Sequence, residues 1–366
     1  MQLESIAPSL RIEPLRIAIV STPWFEVPPK GYGGIESVCD VLAEGLASRG
    51  HDVTLIGAGT AHDSAGFFPT FTEPADGLGT SESVTVEALH AMRATRHLRD
   101  IEHLDVVHDH SVLGPAFADR HGTPTVVTAH GPIGGTVGDL YRQFPRNVSL
   151  VAISDSQRST APDVPWVSTI YHGMDVDDLP FRDRKDDFLL FLGRMDATKG
   201  PDVAIDVARG AGVRLVMAAK CSDPDEIAFF EDAIEPRLGP DVEWLGEADE
   251  ETKRDLLARA RALLFPIDWD EPFGLVMIEA MAAGTPVLAY RRGSVPEIVV
   301  DGVTGVIVDR PEELVEAIAR TGDFDPRACR EHVQRRFSRT AMLDGYEALF
   351  GDLARRGSSR EPLPAA

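Results

Sequence analysis

The sequence predicts an α/β protein made of two parallel-sheet units, and three observations carry that prediction. Short apolar runs rich in β-branched residues alternate with segments whose apolar residues recur at helical spacing. Loops bearing glycine, histidine or charge follow many of those runs, at the carboxyl ends of strands, where open α/β sheets bind ligands. The alternation also restarts after the charged, coreless stretch Arg182–Asp187 (RDRKDD). A chain of 366 residues then divides into two units of roughly 150–200 residues each.

The elements follow in order. Met1–Pro14 is expected to be a loose leader, and residues 15–180 the first unit. Leu15–Val20 (LRIAIV) has the character of a buried parallel strand. The loop Ser21–Gly34, rich in proline and glycine, leads into a helix over Ile35–Ser48, where Val38, Val41, Leu42 and Leu46 share a face. Gly50 ends that helix and His51–Gly57 is the next strand. A helix is expected over Val86–Arg99, then strands over Asp105–His108, Pro124–Ala129, Ser149–Ile153 and Val167–Tyr171.

The second unit is expected over 181–339. Its strands are Phe188–Leu192, Val213–Ala218, Val242–Leu245, Leu263–Ile267, Pro286–Tyr290 and Gly305–Val308. Helices lie between them at Pro201–Arg209, Asp225–Leu238, Glu250–Arg261, Leu275–Ala283 and Pro311–Arg320. Two closing helices, Asp325–Arg336 and Thr340–Leu353, precede a loose tail at 357–366.

Phe265–Val287 (FPIDWDEPFGLVMIEAMAAGTPV) carries most of the chemistry. Glu271 falls in the loop before a helix, and Glu279 about one and a half turns inside it. Unpaired N–H groups at the start of that helix make a seat for phosphate. One acid at the mouth and one along the helix suit hydroxyls on either side of a diphosphate. Arg194 and Lys199, in a short strand-to-helix loop, suit the diphosphate itself, the first as a planar fork and the second as a compact charge. Taken singly, Glu271, Arg194 and Lys199 are also ordinary solvated loop residues and Glu279 an ordinary helix glutamate. Gly33-Gly34 follows the first strand and lets backbone approach a ligand, although the dinucleotide pattern GxGxxG is absent.

His130 ends a strand and is either a pocket residue or a structural one. His108-Asp109-His110 places two histidines on one side of a strand end, but no third metal ligand is apparent. Asp175-Val176-Asp177 resembles a metal-diphosphate pair and is read as loop chemistry. Trp24 and Phe25 in the proline-rich loop, with His110, are further site candidates.

Composition narrows the classes further. The formal net charge of −23 disfavours nucleic acid, whose phosphates demand a basic surface. Three cysteines far apart, with no CxxC, point to a reducing cytosol and no structural zinc. No signal peptide or membrane span is visible. Arg93, Arg96, Arg99 and His97 make a modest basic strip, better suited to solvent than to anionic lipid in so acidic a chain. GxSxG, the Walker loop and HExxH are all missing, which argues against a serine hydrolase, a P-loop nucleotidase and a zinc protease.

In combination, GYGGIE (Gly31–Glu36), VVHDHS (Val106–Ser111), TAHG (Thr128–Gly131), LGRMDATKG (Leu192–Gly200), EPFGLVMIEAMAAGTPV (Glu271–Val287) and GSVPEIVVDGVTGVIV (Gly293–Val308) resemble the retaining glycosyltransferases of family 4. VPPKGYGGIE, VVHDHS and DFLLFLGR resemble a bacterial subgroup that includes an avilamycin-pathway transferase. The resemblance implies the GT-B fold, two Rossmann-like units facing each other across a cleft. The last helix, about 340–356, would complete the first, acceptor-binding unit.

By the same resemblance, Gly33 and Gly34 would bring backbone N–H groups to a nucleotide-sugar diphosphate. Arg194 and Lys199 would hold it from the other side. Glu271 would meet sugar hydroxyls, with backbone N–H groups of Phe273, Gly274 and Leu275 beside it. Glu279 would take the ribose, and His130 would line the sugar pocket. The implied reaction is transfer of an α-linked hexosyl group from a UDP- or GDP-sugar to an acceptor hydroxyl with retention, without metal or cofactor. By the same resemblance the loop Pro23–Lys30 sits where acceptors bind, so Trp24, Phe25 and His110 are the candidates for touching one; whether it is a sugar, a lipid or a small molecule is not implied. An epimerase of the same fold and a non-catalytic nucleotide-sugar sensor are the competing readings. A phosphorylase would need a pyridoxal-phosphate lysine in a matching context, and none is apparent.

Overall fold

In the computed structural model, residues 13–358 are described; the expected leader, apart from Glu13 and Pro14, and the tail from 359 onward lie outside the described residues. Two parallel sheets form the core of an α/β molecule. The first holds β1 (Arg16–Val20), β2 (Asp52–Ala58), β3 (Gly66–Phe71), β4 (Val106–Asp109), β5 (Thr125–Ala129), β6 (Val148–Ala152) and β7 (Trp166–Thr169). Its strand order is β3-β2-β1-β4-β5-β6-β7. The second holds β8 (Phe188–Arg194), β9 (Arg214–Lys220), β10 (Val242–Trp244), β11 (Ala262–Phe265), β12 (Val287–Tyr290) and β13 (Gly305–Val308), in the order β10-β9-β8-β11-β12-β13. Each strand is short and apolar because both sheet faces are covered by helices.

Both sheets reverse direction at their first strand. The chain runs outward from β1 to β3, then returns to set β4 on the other side of β1. It does the same from β8 to β10 before returning to β11. The loops after β1, β4, β8 and β11 therefore flank the two switch points, where a crevice opens between loops that turn opposite ways. These are the loops that carry Gly33-Gly34, His110, Arg194 with Lys199, and Glu271.

The helices of eight or more residues among those described are α1 (Gly34–Ser48), α2 (Ser83–Asp100), α3 (Gly135–Arg142), α4 (Pro201–Ala211), α5 (Glu250–Arg259), α6 (Leu275–Ala282), α7 (Pro311–Ala319), α8 (Pro326–Arg336) and α9 (Arg339–Ser358). The last returns to the first unit. Its Met342, Leu343, Tyr346 and Phe350 are buried in the same core as Ile17, Ile19, Leu42 and Val126. Gly45 on α1 admits this packing, because a Cβ there would stand 2.5 Å from Leu343 Cδ1.

Two elements absent from the sequence reading appear in the structure, and one expected helix is broken. Gly66–Phe71 (GFFPTF) is a strand although it contains proline; it lies at the sheet edge, where a missing N–H is tolerated. Gly135–Arg142 is helical despite two glycines in its sequence. Asp225–Leu238 is not one helix: the α-helix Pro224–Phe229 passes through a π turn at Phe230–Ile234 and a 3-10 turn at Glu235–Arg237. Pro236 explains the break, since proline cannot continue the i→i−4 ladder.

Candidate active site

The wall contributed by the second unit is built from two interlocked loops. After β8, the Asp196 carboxylate accepts from Thr198 N at 2.8 Å and starts the turn Ala197–Lys199. Gly200 follows at φ 72°, and a Cβ there would lie 2.3 Å from the Pro266 carbonyl oxygen. Only glycine lets this loop rest on the exit of β11. Asp268 N donates to Thr198 O at 2.9 Å and ties the loops together. The result places Lys199 Nζ 2.7 Å from Glu271 Oε2, with the ammonium 4.5 Å from the centre of the Trp269 ring.

Glu271 is held from behind. Gly293, at φ 49°, passes so close that a Cβ would sit 2.4 Å from Glu271 N. Ser294 N donates to Glu271 O at 2.9 Å, and Ser294 Oγ to Phe273 O at 2.8 Å. Gly274, at φ 80°, then turns the chain into α6, whose first N–H groups have no intrahelical partner. Further along α6, Glu279 pairs with Lys253 Nζ of α5 at 3.0 Å. Burial works to lower the Lys253 pKa, but Glu279 and Glu250 outweigh it and raise the value. Arg194 lies 3.4 Å from the buried carboxylate of Glu226, which also accepts from Ser222 N and Asp223 N. Each cation at this wall is thus oriented by a carboxylate that is itself fixed.

The first unit closes over this wall with its glycine-rich loop. A Cβ at Gly34 would come within 3.2 Å of Leu275 Cδ1. The amino ends of α1 and α6 therefore meet across the gap, and Leu275 packs against the cores of both units. Tyr32 N donates to Glu247 Oε1 of the second unit at 3.2 Å, and Lys220 Nζ stands 5.5 Å from the centre of the Tyr32 ring. Burial raises the Tyr32 pKa, with Arg194 opposing and Glu271 and Glu226 adding to the rise. The tyrosine thus lies within the field of Arg194, Glu271 and Glu226.

A column of histidines leads from the first sheet to the same place. His110 Nδ1 and His130 Nε2 are 2.8 Å apart. The His108 and His110 rings are 4.1 Å apart, and His130 stacks on His172 at 5.1 Å, with planes 19° apart. His172 in turn meets the edge of Phe273 at 5.0 Å. Burial lowers the pKa of all four imidazoles, that of His172 to about 3, so the column is neutral at neutral pH.

The structure therefore brings Gly33, Gly34, Arg194, Lys199, Glu271, Phe273, Gly274 and Leu275 to one gap, with Glu279 a turn deeper and His130 reaching it through His172. Trp24 is buried, its Nε1 donating to Glu87 at 2.9 Å, so its ring is part of the loop wall. Phe25 packs edge-on against Tyr32. His110 is buried too, and its contact is with His130 and not with the surface. Asp175 and Asp177 pair with Arg339 and Arg330. Among the described residues, no group of three or more His, Cys, Asp or Glu side chains is arranged to hold a metal. In the basic strip, Arg93 donates to Thr70 O and His97 stacks on Phe68, while no helix among the described residues is long and apolar enough to cross a membrane. Tyr32, His172, Glu226 and Lys253 complete the site and were not singled out from the sequence. The tyrosine lies within the GYGGIE stretch, and the lysine sits at helical spacing from Glu250.

Two parallel-sheet units meeting across a cation-lined gap, with a helix amino end on each side, have the GT-B architecture. Family models agree, in succession along the chain: glycosyltransferase family 4 over residues 32–178 and glycosyl transferases group 1 over residues 179–324. The chain belongs to the family 4 glycosyltransferases. It is similar to glycogen synthase of Mycobacterium tuberculosis, 27% identical over 96% of this chain and 97% of that protein. It is also similar to the phosphatidyl-myo-inositol mannosyltransferase of the same organism, 28% identical over 83% of this chain and 86% of the other. Among solved structures, a glycosyltransferase involved in avilamycin A biosynthesis aligns with a TM-score of 0.73 and 28% identity, covering 93% of this chain and 98% of that one.

Proposed function

We propose that this enzyme transfers an α-linked hexosyl group from a nucleotide-diphosphate sugar to an acceptor hydroxyl, with retention and without a metal ion. One observation carries the reading. Lys199, paired with Glu271, faces a gap in which the amino ends of α1 and α6 converge from opposite units. A diphosphate bridging that gap would meet Arg194, Lys199 and N–H groups from both sides. As the glycosyl–oxygen bond lengthens, charge builds on the departing phosphate, and preorganised donors of this kind stabilise charge as it develops. The Glu271 carboxylate has acceptor sites beyond the one used by Lys199 and serves sugar hydroxyls with them. Glu279, fixed by Lys253, serves the ribose. The departing phosphate oxygen takes the acceptor proton on the same face, which keeps the α configuration without an enzymic nucleophile.

The test is a panel of UDP- and GDP-hexoses mixed with sugar, lipid and small-molecule acceptors in the presence of a chelator. Free nucleotide should be released, and proton NMR should show an α-anomeric product. A β product would contradict the mechanism. Nucleotide binding without release under every pairing would favour the sensor reading, and an altered but untransferred sugar the epimerase reading.

A further inference from the structure

Resting on that reading of His130, we propose that His110 is its positioning residue, donating from Nδ1 to His130 Nε2 and so holding His130 as the tautomer with its proton on Nδ1. The two nitrogens stand 2.8 Å apart, and one of them must donate. A neutral imidazole carries a single N–H. If His130 donated, the His110 proton would sit on Nε2. That atom is buried and has no partner among the described residues, so the proton would be stranded. If His110 donates, its Nε2 is a bare acceptor and no buried N–H of the pair is left without an acceptor.

The same reasoning applies one residue pair away. His108 Nδ1 is also buried and unpartnered, while its Nε2 is 2.8 Å from Thr128 Oγ1. The proton therefore belongs on Nε2, directed at Thr128, whose hydroxyl is 2.7 Å from Tyr346 OH of α9. With His108 fixed by that chain, the His110 ring packed against it is fixed as well. His130 is then held by a hydrogen bond from His110 and by the stacked ring of His172, which rests on Phe273. Its Nδ1 is left as the free donor. His130 is only half-buried, and that nitrogen is not among the enclosed, unpartnered atoms. It presents an N–H where a hydroxyl oxygen of the glycosyl group can accept it. A nearly buried histidine outside the substrate's reach thus decides which kind of hydrogen bond the sugar meets.

Long-range nitrogen-15 NMR of the histidine-labelled full chain reads the tautomer directly. In the wild type, His130 Nδ1 should show the shift of a protonated nitrogen and Nε2 that of a bare one. His110→Phe keeps the ring volume and removes the donor, and should move His130 to a tautomer mixture. With the donor found in the transfer panel, His110→Phe should lower kcat roughly tenfold with donor KM within about twofold. His110→Asn, which restores an N–H donor, should recover to within about threefold of wild type. A wild-type His130 protonated on Nε2 overturns the proposal. So does equal kcat in wild type and His110→Phe, or equal loss in both variants. The NMR result needs no substrate, so it stands apart from failure of the transfer reading.

Discussion

The Lys199 side chain is fixed by Glu271 and by the face of Trp269. Lys199→Ala should reduce kcat by roughly a hundredfold or more in the transfer assay, with the fold's thermal stability little changed. Glu279→Ala should act differently: nucleotide affinity by calorimetry should fall by about tenfold, since hydrogen bonds to a charged group carry about 1.5–3 kcal/mol. Lys253 would still have Glu250 at 2.9 Å, so unfolding is not the expected cause. Equal affinity in the two proteins would contradict the ribose assignment. His172 gives a pH signature. Its folded pKa, pushed down to about 3 by burial, is below its unfolded value near 6.5, so unfolding takes up a proton between those limits. The stability it contributes is complete above pH 6.5 and is lost as pH falls toward 3. Tm should therefore drop more between pH 7 and pH 5 in wild type than in His172→Phe. Residues such as Lys199 and Glu271 were legible from the sequence because each lies in a loop whose strand and helix are local. Tyr32, His172 and Glu226 were not, because their roles come from neighbours that only tertiary packing supplies.

At the scale of elements, glycines at φ 49° and 72° decide whether the loops can interlock. Gly293→Ala would press a methyl into the backbone of Glu271 and add left-handed strain, costing about 1–3 kcal/mol. Turnover should fall further than stability, because the displaced group is a site carboxylate; unchanged kcat would separate the loop from the chemistry. Most strands were readable, since an apolar run bounded by glycine or charge is a strong signal for a strand covered on both faces. The edge strand β3 was hidden because Pro69 and a half-exposed face remove that signal. Gly135–Arg142 was hidden for a related reason: low helix propensity there is overridden by burial of Tyr141 with Ile133 in a small core.

For the whole molecule, the relation between the units decides whether the site exists. Glu297 of the second unit accepts from Asp155 N at 2.8 Å and Ser156 N at 2.6 Å in the first, and from Tyr171 OH at 2.9 Å. Glu297→Ala should speed amide exchange at Asp155 and Ser156 by about tenfold while leaving β1 and β8 protected. Two-unit architecture was legible from the restart after Arg182–Asp187, but this contact between the units was not, for it joins residues 141 and 142 positions apart. The central claim is that one diphosphate is grasped from both units at once. A crystal structure of the chain with a nucleotide-diphosphate sugar tests it most directly. Both phosphates should lie within hydrogen-bonding distance of Arg194 and Lys199, with backbone N–H groups from Gly33-Gly34 on one side and Gly274-Leu275 on the other. Phosphates bound elsewhere, or held by the second unit alone, would contradict the account.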